Sequence, residues 1–166
     1  DADDCTSMES ITVSPFSCAI GAMISTIDAS CAGGSDGSAT VEVSNAIDPV
    51  VFDWSSGGDM ATESNLAAGS YSVTVSDATD CSIILNFLIA EPNPISISLV
   101  NVTDADCPGA ATGQAEVIPM DGTMPYEILW TDGSTDFFRS DLPTGNYQPT
   151  ITDFNGCMES VSFPIG

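Results

Sequence analysis

The sequence predicts an all-β protein: tandem Ig-like, Greek-key antiparallel β-sandwich repeats, each with one internal disulfide. Three observations predict it. The chain matches itself without a gap at an offset of 76 residues, which sets Cys5, Cys81 and Cys157 in one phase and Cys31 and Cys107 in another. Short segments alternate apolar and polar side chains and are rich in Val, Ile, Thr and Tyr. Gly, Pro, Asp and Asn fall between those segments, where turns are needed.

The offset also pairs Gly33 with Gly109, Gly37 with Gly113, Pro49 with Pro125 and Trp54 with Trp130. Leu66, Gly69, Tyr71 and Asp77 meet Leu142, Gly145, Tyr147 and Asp153 in the same way. A fixed period of this kind marks a repeat array. Three segments follow. Residues 1–22 are expected to be the last strand of a preceding repeat plus a connector. Residues 23–94 form the first complete repeat and residues 95–166 the second.

In the first repeat, strands are expected near 23–29, 38–45, 49–54, 61–66, 70–76 and 82–90, and again 76 residues later in the second. In "ATVEV", Ala39, Val41 and Val43 share one face; in "YSVTV", Tyr71, Val73 and Val75 do. Pro149 cannot donate to a ladder, so its strand is expected to be an edge or bulged there. "LAAGSY" and "LPTGNY" have the form of a tyrosine corner, with Tyr71 and Tyr147 returning their hydroxyls to backbone upstream. Trp54 and Trp130 are most simply core residues, with sugar stacking as the other role open to them. Residues 5–14 occupy the phase of a final strand, so they are expected to pair in a sandwich outside this chain, in cis or by strand addition. The prolines of "AEPNP" make a short, stiff connector.

Charge and absences bound the function. The chain has 24 acidic residues, one Arg, no Lys and no His, for a net charge of −23. Nucleic acid and anionic membrane surfaces are repelled by such a field. No apolar run approaches the length of a membrane span, so no membrane insertion is expected. Without His or Lys there is no Ser-His or Cys-His pair, no Schiff base and no phosphate-gripping P-loop. A nucleophile without a base is not an active site, so the chain is expected not to be an enzyme.

The six cysteines lack metal-binding spacing. Cys31 to Cys81 and Cys107 to Cys157 have equal separations, which predicts one disulfide inside each repeat and an oxidising setting. Cys5, in the phase of Cys81, is expected to find its partner outside the chain. Cys18 falls opposite Pro94 and is surplus to the repeat, which makes it the candidate for a link between chains. A Cys5–Cys18 bond is not expected, because an extended segment between them exceeds disulfide reach. No cofactor is required. Ca²⁺ is the one cation considered, with Asp1, Asp3, Asp4, Asp77, Asp80, Asp104 and Asp106 as candidate oxygen ligands near repeat ends.

The run C-x-G-x-x-x-G-x-A-x-V, P-x-x-x-x-W-x-x-G, L-x-x-G-x-Y, D-x-x-x-C occurs from Cys31 to Cys81 and from Cys107 to Cys157. It resembles the SprB repeat of long secreted surface proteins of gliding Bacteroidota. The resemblance implies type IX secretion, an extracellular cell-surface location, and filaments or adhesins serving gliding motility and cell adhesion. It supplies no catalytic residues. The second copy departs at Thr112, where the first has Asp36, which puts in doubt any site built on Asp36. The expected function is a structural segment of such a filament, giving reach and mechanical stability. Its partners are further repeats of the same polypeptide or neighbouring fibre subunits. The alternative is a Ca²⁺- or carbohydrate-binding adhesive module whose partner is a surface polysaccharide.

Overall fold

The computed structural model describes residues 18–166. The expected strand at 5–14, Cys5 and the carboxylates of Asp1, Asp3 and Asp4 lie outside the described residues. Every regular element from 18 to 166 is a strand. No helix among them is long and apolar enough to cross a membrane.

The first sandwich contains β1 (Gly21–Ile27), β2 (Gly37–Ser44), β3 (Val51–Trp54), β4 (Thr62–Leu66), β5 (Gly69–Ser76) and β6 (Ser82–Ile89). One sheet has the order β1-β2-β4 and the other β3-β5-β6, all antiparallel. Alternation does the sorting: Ala39 and Val41 on β2 and Val73 and Val75 on β5 turn inward and are fully buried. Trp54, Leu66 and Ile89 complete that core. Gly37 lies where the two sheets approach closely. A Cβ there would stand 2.7 Å from Ile89 Cγ2 and 2.8 Å from the Leu66 carbonyl oxygen, so only glycine fits.

The second sandwich contains β7 (Ser96–Thr103), β8 (Gly113–Met120), β9 (Glu127–Leu129), β10 (Phe138–Leu142), β11 (Gly145–Tyr147), β12 (Thr150–Thr152), β13 (Met158–Ser160) and β14 (Phe163–Ile165). Its core of Ala115, Val117, Ile128, Trp130, Leu142, Ile151, Phe163 and Ile165 is separate from the first. Where the first sandwich has the continuous pair β5–β6, the second has two shorter pairs, β11–β14 and β12–β13. Pro149 sits at the break. It occupies the place of Val73, and without an N–H it cannot extend the ladder.

The structure corrects the cysteine pairing. Cys31 is bonded to Cys157 and Cys18 to Cys81, with Cα separations of 5.6 and 5.4 Å. Cys107 is exposed and has no disulfide partner among the described residues. The expected bonds Cys31–Cys81 and Cys107–Cys157 are absent for a geometric reason. The Cys31 loop meets the far end of β6, where the Ala29 N–H donates to the Ala90 carbonyl. Cys81 precedes the near end of β6. The eight residues of that strand hold the two cysteines about 26 Å apart, several times disulfide reach. Cys107 and Cys157 stand in the same relation, since the Ala105 N–H donates to the Gly166 carbonyl. Neither repeat therefore holds an internal Cys31–Cys81-type bond. Cys18, expected as a link between chains, instead closes the connector onto the first sandwich.

Candidate functional site

The junction between the sandwiches is built from two loops. The first is 28–36, between β1 and β2. Its Asp28 carboxylate accepts the Ala90 N–H at 2.9 Å, and its Asp36 carboxylate accepts the Ser30 N–H at 2.9 Å. The Gly34 N–H donates to the Cys31 carbonyl, closing a tight turn that presents the sulfur outward. The Ser30 hydroxyl and N–H hold the Asp36 carboxyl below its ordinary value. Glu91, in the connector, accepts the Gly33 N–H at 2.6 Å.

The second loop is 153–157, between β12 and β13. Asp153 is buried, and its carboxylate accepts backbone N–H groups from Thr123, Asn155 and Cys157 at 2.9–3.0 Å. Gly156 has φ +83°, in the left-handed region that suits glycine. Across the junction the Asn155 side chain donates to the Ser30 carbonyl at 3.1 Å, and the Cys31–Cys157 bond lies beside that contact. Each polar atom named here has a partner, and among the described residues no buried side-chain nitrogen or oxygen is left without one.

The Asp153 clasp has a twin in the first sandwich. Asp77 accepts N–H groups from Ile47, Thr79 and Cys81, and the Thr79 hydroxyl at 2.6 Å. The Thr79 hydroxyl is the main cause that holds the Asp77 carboxyl below its ordinary value. Asp104 accepts the Gly166 N–H at 2.7 Å. Asp77 and Asp104 thus already serve as acceptors for backbone donors. Asp77 and Asp80 lie in the β5–β6 loop of the first sandwich, while Asp104 and Asp106 lie in the β7–β8 loop of the second. The described candidates fall in two separate loops, one in each sandwich. Among the described residues, no group of three or more His, Cys, Asp or Glu side chains stands close enough to hold a metal ion.

Tyr71 donates to the Ala67 carbonyl at 3.0 Å and Tyr147 to the Pro143 carbonyl at 2.8 Å. Each hydroxyl therefore ties a strand start to the bend before it. Trp54 and Trp130 are buried at 2% exposure, their indole N–H groups given to the Met60 and Asp136 carbonyls. A ring so enclosed offers no face to a sugar.

Sequence reasoning passed over Arg139. Its guanidinium is buried, forks onto both oxygens of Asp141 at 2.6 and 2.9 Å, reaches Asp132 at 2.9 Å and lies 5.4 Å over the Trp130 ring. The Arg139 fork holds Asp141 below its ordinary value. For Asp132 the Ser134 N–H contributes most, then Arg139. In the first sandwich Glu63 takes this place and accepts the Ser56 hydroxyl. The signal available in the sequence was a single cation flanked by Asp132, Asp136 and Asp141.

No curated protein sequence matches. Three N-terminal domains of the bacteriophage RB49 highly immunogenic outer capsid protein (Hoc) superpose with a TM-score of 0.52 at 17% identity, over 89% of this chain and 59% of that one. A C-terminal 282-residue fragment of intimin, in complex with the intimin-binding domain of its translocated receptor, gives 0.44 at 13% identity, over 87% and 63%. The chain thus spans under two thirds of the length of both. The first likeness shows the fold, an Ig-like tandem sandwich. At the level of sequence, the SprB repeat matches residues 24–59 and again residues 99–135, so this chain carries two SprB repeats, one in each sandwich.

Proposed function

We propose that the chain is a structural segment of a long extracellular surface filament or adhesin, in which serial SprB units give reach and resistance to bending for attachment. The observation that carries this reading is the Cys31–Cys157 bond between the sandwiches. A bond between successive units fixes their mutual placement, and it persists in oxidising surroundings outside the cytoplasm. The arrangement supports the reading further by spending its conspicuous carboxylates, Asp28, Asp77, Asp104 and Asp153, on backbone donors inside the units. Type IX export and a role in gliding motility belong to the same proposal and rest on the family. The chain is proposed to have no enzymatic activity and to require no cofactor.

Immunogold labelling of intact source cells with antibodies to this chain tests the proposal. Gold particles standing off the cell surface in rows are expected. Labelling that needs permeabilised cells would sink it.

A further inference from the structure

We propose that the Cys107 face of the second sandwich is a covalent docking site for a further repeat of the same kind. The incoming unit presents the counterpart of its Cys157 loop. The proposal deepens the filament reading and rests on it.

Cys107 is the repeat counterpart of Cys31, and Cys31 is bonded to the next unit in the chain. The loop around Cys107 is built for the same task. Asp104 accepts the Gly166 N–H as Asp28 accepts that of Ala90. Ala105 donates to the Gly166 carbonyl as Ala29 donates to that of Ala90. The Ala110 N–H closes onto the Cys107 carbonyl at 2.9 Å, as the Gly34 N–H closes onto that of Cys31. Thr112 supplies the last match. It replaces Asp36, yet its hydroxyl accepts the Asp106 N–H at 2.9 Å, the same distance at which Asp36 accepts the Ser30 N–H. Four of the hydrogen bonds that position a bonded sulfur in the first sandwich are therefore reproduced around an exposed thiol in the second.

Direction follows from the other cysteines. Cys81 and Cys157 share a phase, but Cys81 is already taken by Cys18 and Cys157 by Cys31. Among the described residues no cysteine of that phase is left, and the acceptor in this proposal is the Cys157 counterpart of another unit. Bond formation removes two protons and two electrons from the two thiols. Glutathione disulfide takes them and is reduced to two glutathione thiols.

Two arms test the proposal, both in a Cys5→Ser chain so that Cys107 is offered only the loop in question. In the first, the full chain is extended by a second copy of residues 91–166 and oxidised with glutathione disulfide. Non-reducing peptide mapping is expected to join Cys107 to the Cys157 of the added copy while Cys31–Cys157 persists. Cys107 left open to alkylation in a chain whose added copy is folded and protease-resistant overturns the proposal.

The second arm uses the unextended chain and a peptide of residues 152–161, activated as a thionitrobenzoate mixed disulfide. The Cys107 thiolate attacks the peptide sulfur and thionitrobenzoate leaves. Coupling about tenfold faster than to a scrambled peptide is expected, the worth of one or two hydrogen bonds such as that of Asn155. Equal rates overturn the proposal, and this arm decides alone if the added copy fails to fold. Failure in either arm leaves the filament reading standing, because labelling of intact cells tests that reading separately.

Discussion

Cys31 and Cys157 belong to different sandwiches, and their sulfurs are bonded to each other. Non-reducing peptide mapping of the oxidised chain is expected to return Cys31–Cys157 and Cys18–Cys81. Replacing Cys31 by Ser is expected to expose Cys157 to alkylation and to broaden the distance distribution between spin labels placed on the two sandwiches. A map that joined Cys31 to Cys81 would contradict the junction described here.

Asp153→Ala strips three backbone N–H groups, those of Thr123, Asn155 and Cys157, of their acceptor. Removing a buried acceptor that holds three part-buried donors is expensive, and a loss of about 2 kcal/mol is expected. Denaturant titration monitored by Trp130 fluorescence in a Trp54→Phe background measures it. A midpoint unchanged from the parent would show that the clasp contributes nothing.

Gly113→Ala should be as damaging. The new Cβ would meet Ile165 Cγ2 at 2.5 Å and the Leu142 carbonyl oxygen at 2.6 Å. Overpacking of this kind costs about 1–3 kcal/mol. The same substitution at Gly109, where no heavy atom lies within 4 Å, separates crowding from backbone strain in the measured difference.

Acid should unfold the chain along a predictable limb. Asp77, Asp132 and Asp141 all titrate below their ordinary value of 3.8 when folded. The stability they contribute is present above the unfolded value and is lost as pH falls through the folded one. Thermal melts taken from neutral pH downward are expected to decline most steeply below that unfolded value. Arg139→Gln should flatten the decline of the second sandwich, since it removes the cation that favours the charged forms of Asp132 and Asp141. An identical acid limb in that variant would remove Arg139 from the account.

Chelation is expected to leave both melting transitions in place. Among the described residues no cluster of three or more candidate ligands forms, and Asp77 and Asp104 are engaged by N–H donors. Differential scanning calorimetry with and without a Ca²⁺ chelator reads this directly. A large downward shift would favour the binding-module alternative.

Much of the fold was legible because its causes are local. Alternation located β2 and β5, and Pro149 announced the break in the second sandwich by its missing donor. The Asp36 to Thr112 change misled for the opposite reason. Letter identity differs, yet a hydroxyl oxygen accepts the same N–H that a carboxylate does. The cysteine partners were illegible to periodicity itself. Cys81 and Cys157 have the same phase, so a repeat fixes which kind of loop supplies the partner but not which copy. The length of β6, applied to Cys31 and Cys81, would have decided the matter from sequence. Arg139 needed the third dimension, because its two carboxylates come from a turn and a strand that meet only around Trp130.

The bond between Cys31 and Cys157 also changes how tension passes through the chain. Force applied at the two ends runs from Cys31 directly to Cys157, and the 126-residue separation it skips bears none of the pull. Most of both sandwiches lies in that bypass, so the ladders formed wholly within residues 31–157 are sheltered, while β1, β13 and β14 stay on the loaded path. Reduction of both this bond and Cys18–Cys81 would free about 430 Å of contour at roughly 3.4 Å per residue once the sandwiches unfold. The extensibility of residues 31–157 is therefore governed by a thiol reagent, and the strength of the ladders within them matters only after that bond has gone.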